Sequence, residues 1–210
     1  MEVNEVILVK RSQQGEGDPG AFQALVEHYS SKAIRTALYI TGQKDVAEEA
    51  AQEAFIQCYQ KIKQLRAPEN FEVWFFRILT RLSWELATKE KKTLSLEAIS
   101  KSNKESLLGN DKTLSFVEAS ETKQFIKIAL RKLSTPLRIT IVLRYFNDLS
   151  IKEIARVLGC REGTVKSRLH NGLRQLASEL ELLGWEVPSG DKKKGKNIEL
   201  TRKEGELSAI

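Results

Sequence analysis

Residues 148–176 read DLSIKEIARVLGCREGTVKSRLHNGLRQL, two short helical patterns meeting at a tight turn. Ser150 followed by Glu153 is a capping box: the hydroxyl takes an orphan amide of the first turn while the carboxylate reaches back. Ile151, Ile154, Ala155 and Leu158 fall at i, i+3, i+4 and i+7, one apolar stripe of a helix about two turns long, and Gly159 stands where a left-handed residue closes it. A helix that short must pack on a partner. The partner spans about residues 162–180, where Val165, Leu169, Leu173, Leu176 and Leu180 repeat every three or four positions and fill the groove beside the first helix. Its opposite face carries Lys166, Ser167, His170, Asn171 and Arg174. Donor-rich side chains on one face of a second helix, after a turn of three or four residues, describe a helix-turn-helix whose second helix reads a major groove. The competing reading is a solvated helix hairpin whose polar residues only face water.

A resemblance favours the first reading. Residues 133–176, LSTPLRITIVLRYFNDLSIKEIARVLGCREGTVKSRLHNGLRQL, resemble the C-terminal promoter-recognition domain of bacterial RNA polymerase sigma factors of the extracytoplasmic-function (ECF) group, with LRYF, LSIKEIA, LG and GTVKSRLHN in order. The chain departs from the family at Cys160 and Arg161, where an aliphatic residue and a Ser-like cap are usual. The resemblance implies that Arg161, Thr164, Lys166, Ser167, Arg168, His170, Asn171 and Arg174 contact the duplex upstream element of a promoter.

Length and composition are compatible with that class. The 210 residues allow one or two domains, and 30% charged against 41% apolar residues is an ordinary globular balance. No run of eighteen apolar residues and no leader with a basic start and an apolar centre occur, so a cytoplasmic protein is expected. Cys58 and Cys160 are far apart without metal-ligand spacing and read as reduced core thiols. The net charge is +6, unevenly spread: residues 1–92 hold 13 basic and 13 acidic side chains, residues 133–183 hold 8 and 5. A basic C-terminal helix pair suits duplex phosphates, with affinity that falls as salt rises.

In the N-terminal half, residues 4–14 predict a short helix ending at Gly15. The following GEGDPG matches G-x-G-x-x-G, but no strand precedes it and acids occupy the pyrophosphate positions; Asp18 as N-cap with Pro19 at the first helical position accounts for the residues better. A helix over residues 19–40 carries Phe22, Leu25, Val26, Tyr29, Ala33, Ala37 and Leu38 on one face. A second starts near Asp45, with Val46, Ala50, Phe55, Ile56, Tyr59 and Ile62 as its expected buried side, and breaks at Pro68. A third covers about 71–90, through Val73, Trp74, Phe75, Ile78, Leu79, Leu82 and Leu86. No strand alternation competes, so the expectation is an all-α chain of two helical domains, the first an antiparallel bundle.

This half resembles the second sigma-factor module through DPGAFQALVEHY, DVAEEAAQEAFIQCYQKI and FEVWFFRILTRLSWELATKEKK. In the family the second segment docks on a coiled coil of the polymerase β′ subunit, which by position implies contacts from Asp45, Glu49, Gln52, Glu53 and Phe55. The third reads the melted minus-ten strand, implying Trp74, Arg77, Arg81, Trp84, Glu85, Lys89, Lys91 and Lys92. The family usually shows Asn, then Asp, then an Arg pair there; this chain has Arg81, Glu85 and a set of lysines, which keeps aromatics for stacking and cations for phosphates. For Trp74 a core position is the simpler reading.

The expected organisation is 1–92 for the first module, a polar linker at 93–115, the helix-turn-helix module at 116–183 and a lysine-bearing tail at 184–210. His28 and His170 are the only histidines, and no H-E-x-x-H, P-loop lysine motif or paired catalytic carboxylates occur, so neither an enzyme nor a cofactor is expected. The reading is a transcription initiation factor, monomeric when free, whose partners by resemblance are core RNA polymerase (β′ coiled coil and β flap), promoter DNA and an anti-sigma factor, with no small-molecule substrate. A conventional helix-turn-helix regulator, dimeric on a palindrome, is the rival; a sigma-mimicking adaptor would not need the Lys166 to Asn171 face.

Overall fold

Caps and breakers set where each helix starts and stops. In the computed structural model, which describes residues 5–14, 18–100 and 121–184 (side chains of 19, 90–100 and 121–123 excepted), Asp18 accepts the backbone N–H of Gly20 at 3.0 Å and of Ala21 at 3.2 Å, with Pro19 beginning the helix. Among the described residues there is no strand, and the helices are α1 (Glu5–Gln13), α2 (Pro19–Thr41), α3 (Lys44–Lys61), α4 (Phe71–Ser100), α5 (Glu121–Lys132), α6 (Thr135–Tyr145), α7 (Ile151–Leu158) and α8 (Glu162–Leu182). Two 3-10 turns, Ile62–Gln64 and Pro68–Asn70, separate α3 from α4. Gly42 closes α2 at φ +81°.

Helix α4 continues ten residues beyond the expected end, to Ser100. The sequence turns polar there, but no Gly or Pro lies between Leu86 and Ser100, and polarity alone does not stop backbone hydrogen bonding. The rest of the expected linker, residues 116–120 of the expected helix-turn-helix module and the tail from 185 onward lie outside the described residues.

The first bundle packs α2, α3 and α4 around Leu25, Tyr29, Phe71, Phe75, Phe76 and Leu79. Tyr29 donates to the Glu5 carboxylate, which ties α1 to the bundle, and burial pushes its phenol pKa up. The face of α3 that is buried differs from the expected one. Ala47, Ala50, Ala51, Ala54, Cys58 and Ile62 are covered, while Ile56 and Tyr59 are 44% and 56% exposed. Small side chains are what a helix held against two neighbours accommodates, so the larger ones turn outward. Burial also pushes the Cys58 thiol up to about 12, leaving it protonated and unreactive at neutral pH.

The second bundle is α5 to α8. The capping box is formed: the Ser150 N–H donates to Glu153 Oε2 at 2.8 Å and the Glu153 N–H to Ser150 Oγ at 3.2 Å. Gly159 ends α7 at φ +61°, and Gly172 lets α8 close on α6, where a Cβ would come within 2.8 Å of Ile141 Cδ1. The two bundles touch: α7 lies on α4, α6 on α2, and their apolar residues merge into a continuous core.

Ser150→Ala should lower the unfolding free energy by about 1 kcal/mol in a urea titration at neutral pH. The hydrogen bonds from Ser150 hold the Glu153 carboxyl below its ordinary 4.5. A depressed acid stabilises above its unfolded pKa and loses that contribution as pH falls through the folded value. The wild-type advantage over Ser150→Ala should therefore shrink as pH drops below about 4.

Candidate nucleic-acid interface and acidic groove

Val165, buried one turn into α8, seats the second helix of the helix-turn-helix, with Gly172 and Leu176 continuing the covered stripe. On the far side Arg161, Thr164, Lys166, Ser167, His170, Asn171 and Arg174 are all exposed, and Arg168 is half-buried. Arg168 is three residues from Val165 and four from Gly172, which places it at the border of the packed stripe. The chain therefore brings all eight residues expected at the upstream element onto the outer and flanking surface of one helix. Arg161 is the N-cap of α8 and makes no side-chain cap; its carbonyl accepts from Thr164 at 2.9 Å and Val165 at 3.2 Å.

On α4 a second polar stripe runs through Arg77, Arg81, Trp84, Glu85 and Lys89, spaced at one-turn intervals and exposed. Trp84 is 44% exposed, free to offer a ring face to a base, whereas Trp74 is half-buried with its ring 6.1 Å from Phe71, in keeping with a core position. Lys91 and Lys92 belong to α4, but their side chains lie outside the described residues.

Between α3 and α4 lies a groove of about 340 Å³, lined by Glu49, Gln52, Glu53 and Ile56 from one helix and Leu82, Glu85 and Leu86 from the other. Its floor is apolar and its rim carries three carboxylates. Asp45, one turn before Glu49, is exposed and extends the acidic edge. Phe55 does not line the groove; its half-buried ring sits 4.9 Å from Phe75. Glu85 does, although its spacing from Arg81 suggested only the DNA-facing stripe.

Two participants are not evident from sequence. Ile56 patterns as core yet forms part of the groove, and Gln57 links the two surfaces: it accepts from Arg81 Nη2 at 2.8 Å and donates to Glu53 Oε1 at 2.9 Å. The only signal for Gln57 was its i+4 spacing from Glu53. Among the described residues no group of three His, Cys, Asp or Glu is placed to hold a metal ion, and no helix is long and apolar enough to cross a membrane.

The two helical bundles, one ending in a helix-turn-helix with a donor-rich outer face and the other bearing an acidic groove, match the two modules of initiation factors of the sigma-70 type. Residues 25–93 match the family model for Sigma-70 region 2, and residues 127–176 the model for Sigma-70, region 4. The chain is 33% identical over 187 residues to the ECF RNA polymerase sigma factor SigW of Bacillus subtilis, covering 84% of this chain and 98% of that one. It is 30% identical over 190 residues to the ECF RNA polymerase sigma-E factor of Escherichia coli K12, covering 87% and 97%. Two solved structures share the fold: CnrH in complex with the cytosolic domain of CnrY (TM-score 0.62, 21% identity, 85% of this chain and 97% of that one), and the sigma factor RpoE of Bartonella quintana with the anti-sigma factor NepR (TM-score 0.60, 22% identity, 77% and 97%). The chain belongs to the ECF group of RNA polymerase sigma factors, and its function is to direct RNA polymerase in transcription initiation.

Phe55→Ala should destabilise the chain by about 3 kcal/mol through loss of packing on Phe75. Reversing Glu49 and Glu53 to Lys should change stability by less than about 0.5 kcal/mol each. Thermal unfolding followed by circular dichroism separates the two; an equally mild Phe55→Ala would return that ring to the groove surface.

Proposed function

We propose that α8 reads the duplex minus-thirty-five element, the outer stripe of α4 holds the melted minus-ten strand, and the acidic groove docks on the β′ coiled coil of core polymerase. The observation that carries this is the double use of α4. One side of the helix, with Leu82, Glu85 and Leu86, completes the groove; the adjoining side presents Arg77, Arg81, Trp84 and Lys89. A polymerase element seated in the groove would lie within one helix width of the strand being melted. Lys166 and Asn171 are assigned to base edges, Lys to guanine O6 and N7 and Asn to adenine; Arg168 and Arg174 are assigned to phosphates. Functionally the chain divides at 1–92, 93–115, 116–183 and 184–210, although α4 carries the first module's helix past residue 92.

The same reading makes the chain a cytoplasmic monomer when free. Its partners are core polymerase through the β′ coiled coil and β flap, promoter DNA, and an anti-sigma factor of the kind bound to RpoE in the Bartonella quintana complex. No small-molecule substrate or catalytic role is part of it. The helix-turn-helix regulator is not favoured, because both family modules are present in order.

Purified chain with bacterial core polymerase should give start-site-specific transcripts from a two-element promoter, and little specific DNA binding without polymerase. Lys166→Ala or Asn171→Ala should cost roughly 1 to 3 kcal/mol of discrimination in the upstream element. Arg168→Ala and Arg174→Ala should weaken all sequences alike and reduce the salt slope by about one unit each. Equal losses on cognate and scrambled elements for all four would remove the base-reading assignment.

Charge reversal at Glu49 or Glu53 should weaken core binding mainly through the association rate and its salt dependence. Unchanged core affinity with both reversed would place the polymerase contact elsewhere.

A further inference from the structure

The groove between α3 and α4 has no counter-charge of its own. Glu49, Glu53 and Glu85 stand around a floor made by Ile56, Leu82 and Leu86. None of the three carboxylates has a cationic side chain within ion-pair distance among the described residues. Ile56 is 44% exposed, so the floor is open to water. An apolar strip edged by carboxylates attracts a segment that offers cations on either side of one or two aliphatic side chains. Each charge then gains a partner while the floor leaves water.

The chain's own C-terminal stretch, beyond residue 176 where the region 4 match ends, has that order. Residues 185–210 hold six basic and five acidic side chains, and all six cations fall within 192–203, KKKGKNIELTRK, which keeps a single acid, Glu199. Laid out as an extended chain, Lys196, Ile198, Leu200 and Arg202 share one side and Glu199 falls on the other. That row is about 20 Å long at roughly 3.3 Å per residue, and the edge of α3 from Asp45 to Ile56 runs about 16 Å. Gly184 closes α8 at φ +82°, which ends the helix and lets the chain depart from it. From there to Ile198, fourteen residues span at most about 50 Å, against a radius of gyration of about 15 Å for a folded chain of this size. Length therefore does not keep the segment from the groove. A DNA duplex would engage the cations alone and gain nothing from Ile198 and Leu200.

We propose that residues 192–203 dock in the α3 to α4 groove of the same chain, cations against the carboxylate rim and Ile198 with Leu200 over the apolar floor, and so compete with core polymerase for that surface. The competition rests on the polymerase-docking role proposed above; the docking itself does not. A tethered segment acts at an effective concentration in the millimolar range, so a modest intrinsic affinity suffices. A groove filled about nine-tenths of the time weakens apparent core affinity about tenfold. The contact is largely electrostatic and fades as salt rises.

The test uses the full chain in a Cys160→Ser background with one spin label at Gly205→Cys; Cys58, buried and with its thiol pushed up to about 12, does not take the label. In the free chain at about 0.1 M salt, paramagnetic broadening should fall on the methyl groups of Ile56, Leu82 and Leu86. It should vanish at about 1 M, where the screening length shrinks from about 10 Å to about 3 Å. Glu49→Lys with Glu53→Lys should remove it, and so should Ile198→Ser with Leu200→Ser. The Ile198→Ser, Leu200→Ser pair and, separately, Lys196→Gln with Arg202→Gln should bind core polymerase about tenfold more tightly than the wild type at low salt, the ratio falling toward one at high salt. Absence of groove broadening in the wild type, or broadening that survives Ile198→Ser with Leu200→Ser, overturns the docking. Broadening that arises only from a spin-labelled second chain overturns its intramolecular form. Tail variants that weaken promoter binding by the polymerase complex, with core affinity unchanged and no groove broadening, assign the cations to DNA phosphates and overturn it as well. Core affinity moved by the glutamate pair but not by the tail variants overturns the competition. Groove broadening as expected, with core affinity unmoved by the tail variants and by the glutamate pair alike, overturns the polymerase-docking role instead and leaves the docked tail standing.

Discussion

The alanine seam of α3 is the constraint on which the first bundle depends. Ala47, Ala50, Ala51 and Ala54, with Cys58, give α3 a covered face with almost no side-chain bulk, so it can lie closely against α2 and α4 together. Close approach sends the bulk elsewhere. The core volume is supplied from α4, through Phe71, Phe75 and Phe76, and from α2 through Leu25 and Tyr29. The large residues of α3, Ile56 and Tyr59, are left at the surface. A longer residue at any of the four alanines would have to push α3 off the phenylalanines, since a close-packed interior cannot absorb the volume.

That seam also makes the groove. With α3 close to α4, the residues on their adjacent outer edges converge, and Ile56 meets Leu82 and Leu86 on an apolar floor. Glu49, Glu53 and Glu85 then form its rim. Three carboxylates around an apolar strip suit a basic, partly apolar helical partner better than a nucleic acid, whose phosphates they would repel. The positive groups Arg77, Arg81 and Lys89 lie around the corner of α4. Gln57, hydrogen-bonded to both Arg81 and Glu53, bridges the positive stripe and the acidic groove.

How much of this can be read from the sequence follows from how local each cause is. The capping box at Ser150 and Glu153, the Asp18 cap with Pro19 and the left-handed Gly159 are decided within a few residues, and all are found as expected. The outer face of α8 is equally plain, because its apolar stripe is regular. Helix α3 is different: alanines are ambiguous between core and surface, so periodicity weighted the larger Ile56 and Tyr59 and assigned them to the interior. The end of α4 was misjudged because composition marks a preference for solvent, whereas a helix ends only at a residue that breaks its hydrogen bonding. Contacts between the bundles, such as Tyr39 with Phe146, join positions more than a hundred residues apart, and no pattern within either segment encodes them.

The charge distribution explains why such a molecule works through a partner. The helix-turn-helix module carries a modest excess, 12 basic against 7 acidic residues over 116–183, and the first module is balanced at 13 and 13 over 1–92. Neither has the surplus of cations that gives an isolated DNA-binding domain its tight, salt-dependent grip on phosphates. Weak readers become selective when a third body holds them at one separation, since the second contact then forms at high effective concentration rather than from bulk solution. An excess of positive charge on either module would undo this, by letting that module bind duplex DNA alone and at any sequence. A low surplus of positive charge, an acidic groove and a separate donor-rich helix face are therefore consistent with the proposed division of labour, in which specificity belongs to the assembly and not to either bundle.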